Sequence, residues 1–260
     1  MNVIPKKSLG QHWLHDQASL KAIADAAGVR SGDTVLEVGP GLGTLTRELL
    51  ERDATVVAVE FDDALAAQLP ERISSDKLSV VQQDILTFDL TSLPAGYKVV
   101  ANIPYYLTSN LIRVLCESTN PFSDAAILIQ KEVAERAAAA PGKMSLLSVS
   151  AQYYCEVSLG AAVPAKLFTP PPKVDSQVLV LSYRQQPLFE GVNTKQFFRI
   201  VKAGFSQKRK TLVNSLSAGL GLDKSEVREM LAAAGIPDNT RAQALSMDAW
   251  HALYTHVYGA

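Results

Sequence analysis

A chain of 260 residues, 47% of them hydrophobic, can bury one sizeable core and still carry a smaller appended unit. Its apolar runs, such as residues 55–59 and 125–129, fall far short of the roughly 20 residues of a membrane span, so no membrane association is expected. A formal net charge of −1 excludes a surface that binds nucleic acid all over; any such binding must be local.

The first seven residues carry neither an apolar signal core nor a long Arg/Ser-rich leader, so a cytoplasmic location is expected. Cys116 and Cys155 lack metal spacing and should be structural and buried. His12, His15, His251 and His256 complete no cluster, and no metal is expected.

Residues 5–16 mix basic, aromatic and amide side chains without periodicity and read as an arm. Helical spacing over residues 20–27 follows, stopped by Gly28. Residues 34–38 read as the first strand, and Glu37-Val-Gly-Pro-Gly-Leu-Gly-Thr44 then leads into a helix over 45–52. Glycines at 39, 41 and 43 allow unusual φ values and close approach of a ligand, and a helix N-terminus offers free N–H groups. A dinucleotide fingerprint would place its third glycine at position 44, where this chain has threonine. Strands follow at 55–60, 78–84, 97–102 and 125–129, with helices at 62–69, 109–116, 131–139 and 145–154. Asp62 can cap the first of these helices. Such β/α alternation with continuous apolar strands predicts an α/β fold, a mainly parallel sheet covered on both faces. Strands at 156–163 and 176–183 are joined by a proline-rich loop too short for a crossover helix and should form an antiparallel hairpin. Beyond residue 185 only helical patterns remain, at 195–205, 209–216, 225–234 and 247–257. The expected domains are therefore 1–184 and 185–260. Between residues 195 and 210 lie six basic side chains and no acidic one, including Lys202, Lys208, Arg209 and Lys210.

Glu37, Glu60 and Asp84 sit at or near strand carboxyl ends, which in a parallel sheet lie side by side at one crevice. Glu60 can accept both hydroxyls of a ribose diol, and Asp84, one strand further out, an adenine amino group. As a set they favour a nucleoside-bearing cofactor over three separate helix caps. At the end of the 97–102 strand, Asn102-Ile-Pro-Tyr105 brings an amide, backbone carbonyls and an aromatic ring to the same edge, with Pro104 fixing the chain. It offers no thiol, carboxylate or imidazole nucleophile. Its acceptors suit the two N–H bonds of an exocyclic amine while Tyr105 stacks on the base.

These blocks, together with Gly10-Gln-His-Trp-Leu14, Gln83-Asp84, Leu167-Phe-Thr-Pro-Pro-Pro-Lys-Val-Asp-Ser176 and Phe205-Ser-Gln-Lys-Arg-Lys-Thr-Leu212, resemble the ribosomal RNA adenine N6,N6-dimethyltransferases over nearly the whole chain. The resemblance implies a Rossmann-like class I methyltransferase domain and a small helical domain that seats the enzyme on rRNA. It implies S-adenosylmethionine over Gly39, Gly41 and Gly43, with Glu60 on the ribose, Asp84 and Ile85 at the adenine, and His12, Leu14 and Asn102 closing the site. It further implies that Asn102, Ile103, Pro104 and Tyr105 hold the target adenine and that Phe168 flanks it. The implied substrate is a pair of adjacent adenines in the 3′-terminal hairpin loop of small-subunit rRNA, within the immature subunit, acted on by a monomer through the basic patch at Lys202, Lys208, Arg209 and Lys210. Trp13 stands where the family usually has phenylalanine. The connection at 137–144 is shorter and less basic than is usual, keeping only Lys143. Four rivals stay open: a large-subunit rRNA dimethylase with a similar tetrapeptide, a mitochondrial relative that also acts as a transcription factor, an NAD-dependent dehydrogenase sharing the glycine turn, and an assembly factor that binds cofactor without turnover.

Overall fold

The β-branched apolar runs form the strands, and each amphipathic segment between them forms a helix. A computed structural model describes Lys6 and residues 9–259. The reading of the first seven residues, and the outer part of the arm, therefore lie outside the described residues except at Lys6. In chain order the elements are β1 (Trp13–Leu14), α1 (Gln17–Ala26), β2 (Thr34–Val38), α2 (Thr44–Glu51), β3 (Thr55–Glu60), α3 (Asp63–Arg72), β4 (Leu78–Gln82), β5 (Lys98–Asn102), α4 (Thr108–Cys116), β6 (Asp124–Gln130), α5 (Lys131–Ala137), α6 (Leu146–Tyr154), β7 (Cys155–Val163), β8 (Phe168–Thr169), β9 (Ser176–Tyr183), α7 (Thr194–Phe205), α8 (Leu212–Leu220), α9 (Lys224–Ala233) and α10 (Met247–Tyr258).

The chain divides into two units: Met1–Glu135 with Cys155–Tyr183, and Arg136–Tyr154 with Arg184 to the carboxyl end. In the first, a sheet runs in the order β4-β3-β2-β5-β6-β9-β7. The first five of these strands are mutually parallel, and β9 pairs antiparallel with both β6 and β7, as the short proline-rich loop requires. Val35, Val56, Ala58, Val100 and Ala126 are fully buried and pack with Leu20, Ile23 and Leu49 of the covering helices. Edge strand β4 departs from the continuous apolar pattern, with its residues half-buried or exposed, because one of its sides has no neighbouring strand. The arm also gains an element that was not expected: β1 pairs antiparallel with β8, Leu14 opposite Phe168. Cys116 and Cys155 are buried free thiols with their sulfurs 3.8 Å apart.

The second unit is helical. Its core gathers Phe197, Val201, Leu212, Leu216, Val227, Leu231, Trp250 and Leu253, all almost fully buried. It begins again at Arg184, one residue from the expected boundary, but it also takes in α6, which the sequence places in the sheet domain. The reason is packing: Val149 and Tyr153 of α6 join this core, the Tyr153 ring lying 4.8 Å from Phe197 and 5.2 Å from Phe198. Helix α8 starts at Leu212 where periodicity predicts 209, because residues 206–210 form the turn that follows α7.

Candidate active site

After β2 the chain folds back on itself through the glycine turn. Gly39 N donates to Val59 O (2.9 Å) and Gly41 N to Glu60 Oε2 (3.1 Å), so β3 holds the turn from the side. Gly41 has φ +55°, and a Cβ there would lie 3.5 Å from the Trp13 indole, which covers it. Gly43 has a different task. It caps α2 at φ +82°, and a Cβ would come within 2.6 Å of Ile73 Cδ1 and 2.7 Å of Leu69 Cδ1. Left-handed backbone and close packing both demand glycine there.

Glu60 is 6% exposed, and its other oxygen accepts from Asp62 N (2.9 Å). Burial raises its pKa, with the backbone N–H groups of Asp62 and Gly41 pulling the other way. A carboxylate has about four acceptor positions, so two such bonds leave room for a diol. Asp84 caps the short turn Ile85–Thr87 through Leu86 N (2.9 Å). It therefore performs the cap role while standing at the crevice. Glu37 differs from both. It is 1% exposed, and among the described residues neither of its oxygens nor the Thr46 hydroxyl has a hydrogen-bond partner. Burial pushes its pKa up to about 8; the Thr46 dipole offsets part of this and Glu60 adds to it. The Thr46 hydroxyl acts on Glu37 as a nearby dipole, without a hydrogen bond.

Asn102 ends β5, beside β2, and its Nδ2 donates to His12 O (3.5 Å). That engages the donor end of the amide with the arm and leaves Oδ1 as the acceptor for a ligand. Tyr105 OH meets Ser176 Oγ at 2.9 Å, fixing the ring, and burial raises its pKa against the effect of that bond. The His12 ring stacks on Tyr105 with centroids 6.3 Å apart and its Nδ1 bonds to Pro170 O (2.7 Å). Thr44 Oγ1 donates to Leu14 O (2.9 Å), and Gln11 Nε2 to Asp62 Oδ2 (3.3 Å). Four hydrogen bonds and one ring contact thus tie the arm to the strand ends and the loops around them.

These parts enclose one cavity of about 350 Å³. His12, Leu14, Gly39, Gly41, Glu60, Asp84 and Ile85 line it, and so do Asn102, Ile103, Pro104, Tyr105 and Phe168. Gly43 does not; of the three glycines it serves the fold. Sequence reasoning missed Phe61 and Tyr106, which also line the cavity and are 57% and 68% exposed. A solvent-exposed aromatic next to a site residue is a signal only once exposure is known. No group of three metal-type side chains occurs among the described residues.

Lys202, Lys208, Arg209 and Lys210 belong to the helical unit and are all exposed. Lys202 lies on α7, the other three in the turn after it. Within that unit a second cavity, of about 430 Å³, is lined by Lys208 and Lys210 together with Arg136 and Lys143, and by no acidic side chain. The short connection helps to shape it: Gly142 N and Met144 N both donate to Gln243 O (2.8 and 3.1 Å). Arg136 was not among the expected contacts, because its sequence neighbours read as an ordinary helix end.

Comparison with known proteins gives a consistent result. Residues 4–257 match the family model described as ribosomal RNA adenine dimethylase. The ribosomal RNA small subunit methyltransferase A of Dehalococcoides mccartyi (strain CBDB1) is 42% identical, covering 98% of this chain and 89% of that protein. The protein of the same name from Moorella thermoacetica is 41% identical, covering 95% and 90%. Among solved structures, the 23S rRNA methyltransferase ErmE is 30% identical with a TM-score of 0.76, covering 94% of this chain and 98% of that one. A dimethyladenosine transferase from Plasmodium falciparum, 26% identical over 93% and 96%, has a TM-score of 0.79.

Proposed function

The chain belongs to the ribosomal RNA adenine dimethylase family, and from that premise we propose that it transfers methyl groups from S-adenosylmethionine to N6 of two adjacent adenines in the 3′-terminal hairpin loop of small-subunit rRNA, two to each. The observation that carries this reading is a single cavity lined both by Glu60 and Asp84 and by Asn102-Ile-Pro-Tyr105. A cofactor's nucleoside and a target base would meet there. The small subunit is favoured by the names and 41–42% identity of the curated relatives. The further reading, of a monomer acting in the cytoplasm on rRNA within the immature subunit, rests on the same kinship. Among the described residues no helix is long and apolar enough to cross a membrane.

The residues present fit this cofactor. Glu60 and Asp84 would hold its ribose and adenine, Gly39 and Gly41 allow its close approach, and the unpartnered buried carboxyl of Glu37 suits a positively charged ligand. When bound, S-adenosylmethionine supplies an activated methyl on a cationic sulfur. The chain's own work is positioning. Asn102 Oδ1 and a carbonyl of the tetrapeptide would accept hydrogen bonds from the N6–H groups, two in the first transfer and one in the second, which favours a pyramidal nitrogen with an available lone pair. As N6 bonds to the methyl carbon the carbon–sulfur bond breaks, S-adenosylhomocysteine is left, and one N6 proton passes to solvent. Tyr105 and Phe168 hold the base plane, and the arm excludes water. Orientation of this kind contributes most of the acceleration when the donor is already reactive. Unpaired loop adenines are also the easiest to take out of a stack.

Calorimetry separates this cofactor from its rival: S-adenosylmethionine should bind with micromolar-range affinity and NAD should give no measurable heat. Tight NAD binding with no response to S-adenosylmethionine would refute the reading. Lys208 and Lys210, with Arg136 and Lys143, are proposed to contact rRNA phosphates. In Lys208→Ala/Lys210→Ala, KM for undermethylated subunits should rise, and the slope of log affinity against log salt should shrink by about 2, roughly one per phosphate contact. S-adenosylmethionine affinity should be unchanged.

A further inference from the structure

Among the described residues, four large hydrophobic side chains face solvent, and Tyr106 at 68% is the most exposed. It is also part of the cavity wall. Its neighbour Tyr105 is half-buried and tied to Ser176, so the two consecutive tyrosines divide into one held ring and one ring presented to solvent. The backbone beneath is firm. Tyr105–Leu107 form a tight turn closed by Leu107 N to Pro104 O (3.0 Å), and Thr108 Oγ1 donates to Tyr105 O (3.0 Å). A Cβ at Gly10 would lie 3.9 Å from Tyr106 Cε1, so one edge of the ring leans on the arm while the rest stays open. An aromatic kept in water at the mouth of a cavity, on a fixed turn, is a stacking surface without its partner.

We propose that Tyr106 is the platform on which the base adjoining the target adenine stacks. This rests on the reading of the cavity as an adenine site. A base can enter that cavity only if the strand carrying it crosses the rim, and the next base along then meets the first exposed ring it reaches. Stacking there replaces part of the stacking lost when the target is extruded. It would also set the register of the strand, so that with one of two adjacent adenines in the cavity the neighbouring base is held at the rim. Purines stack more strongly than pyrimidines, which gives the rim a preference for a purine neighbour. Tyr106 in this role is a substrate-positioning residue and takes no part in the transfer itself.

The test compares Tyr106→Ala and Tyr106→Phe with the unaltered protein on purified, undermethylated small subunits. Base–aromatic stacking lost on truncation to alanine corresponds to about 5- to 150-fold in affinity. Tyr106→Ala should therefore raise KM for subunits by about that factor with kcat within about twofold. Tyr106→Phe should restore KM, because the ring face and not the hydroxyl makes the contact. S-adenosylmethionine affinity and the melting temperature should be unchanged in both. A wild-type KM in Tyr106→Ala overturns the proposal. So does a defect that Tyr106→Phe fails to rescue, or one that tracks a fall in melting temperature, which would assign the ring to packing. If the unaltered protein itself transfers no methyl to subunits, the adenine-site reading falls and the stacking role with it; a defect confined to the variants is thereby distinguished.

Discussion

Asn102→Ala should lower methyl transfer about a thousandfold or more while leaving S-adenosylmethionine affinity within about tenfold. Removing one preorganised polar contact to a reacting group typically costs 10²–10³ in kcat, and Asn102 has two tasks. In the proposed reaction its Oδ1 accepts from the adenine amine, and its Nδ2 fastens the arm through His12 O. Losing the first removes hydrogen-bond activation; losing the second loosens the cover over the cavity. A misplacement of about 1 Å can itself cost 10²-fold, so the effects compound. Cofactor affinity survives because Glu60, Asp84 and the glycine turn are untouched: Glu60 is held by Gly41 N and Asp62 N, on the far side of β2 from Asn102. A filter assay with radiolabelled methyl donor reads the first quantity, and calorimetry the second. Unchanged transfer in Asn102→Ala would remove the tetrapeptide from the mechanism.

The second large effect concerns stability. Glu37 should make the ligand-free protein less stable as pH rises from about 5 to 8.5, and Glu37→Gln should remove most of that dependence. The unfolded chain releases this proton near the ordinary value of 4.5, whereas burial holds it in the folded chain up to about 8. Between those limits the folded state binds the extra proton, so unfolding becomes easier with rising pH. The stabilising contribution is complete below 4.5 and lost above 8. A shift of this size corresponds to on the order of 4 kcal/mol across the window. Glutamine keeps the shape and stays neutral, so the variant should be the more stable of the two at high pH, and a positively charged ligand should stabilise it less. Urea titrations at pH 5, 7 and 8.5 measure this. Parallel pH profiles for the two proteins would show that Glu37 is ionised in the folded state throughout.

Much of this arrangement can be read from the sequence because it is encoded locally. Continuous β-branched runs mark β2, β3 and β5, and a parallel sheet then brings the ends at Glu37, Glu60 and Asn102 to one edge without further information. The short proline-rich loop likewise forces β7 and β9 into antiparallel pairing. What stayed hidden depends on partners distant in sequence. Periodicity identifies α6 as a helix but says nothing of Tyr153 packing on Phe197 and Phe198, which carries it into the helical unit. Two residues are too few for a strand signature, so the pairing of Trp13–Leu14 with Phe168–Thr169 could not be seen. Gly43 looks like its neighbours in the motif, and only the distances to Leu69 and Ile73 show that its role is packing. Tyr106 and Phe61 are ordinary apolar residues until their exposure is known.

Methyl transfer to purified, undermethylated small ribosomal subunits, with the modified nucleotides located by mass mapping, tests the proposed reaction most directly. Four methyl groups should appear, two on the N6 of each of two adjacent adenines in the 3′-terminal hairpin loop. Transfer confined to large-subunit RNA, or to any atom other than adenine N6, would contradict it.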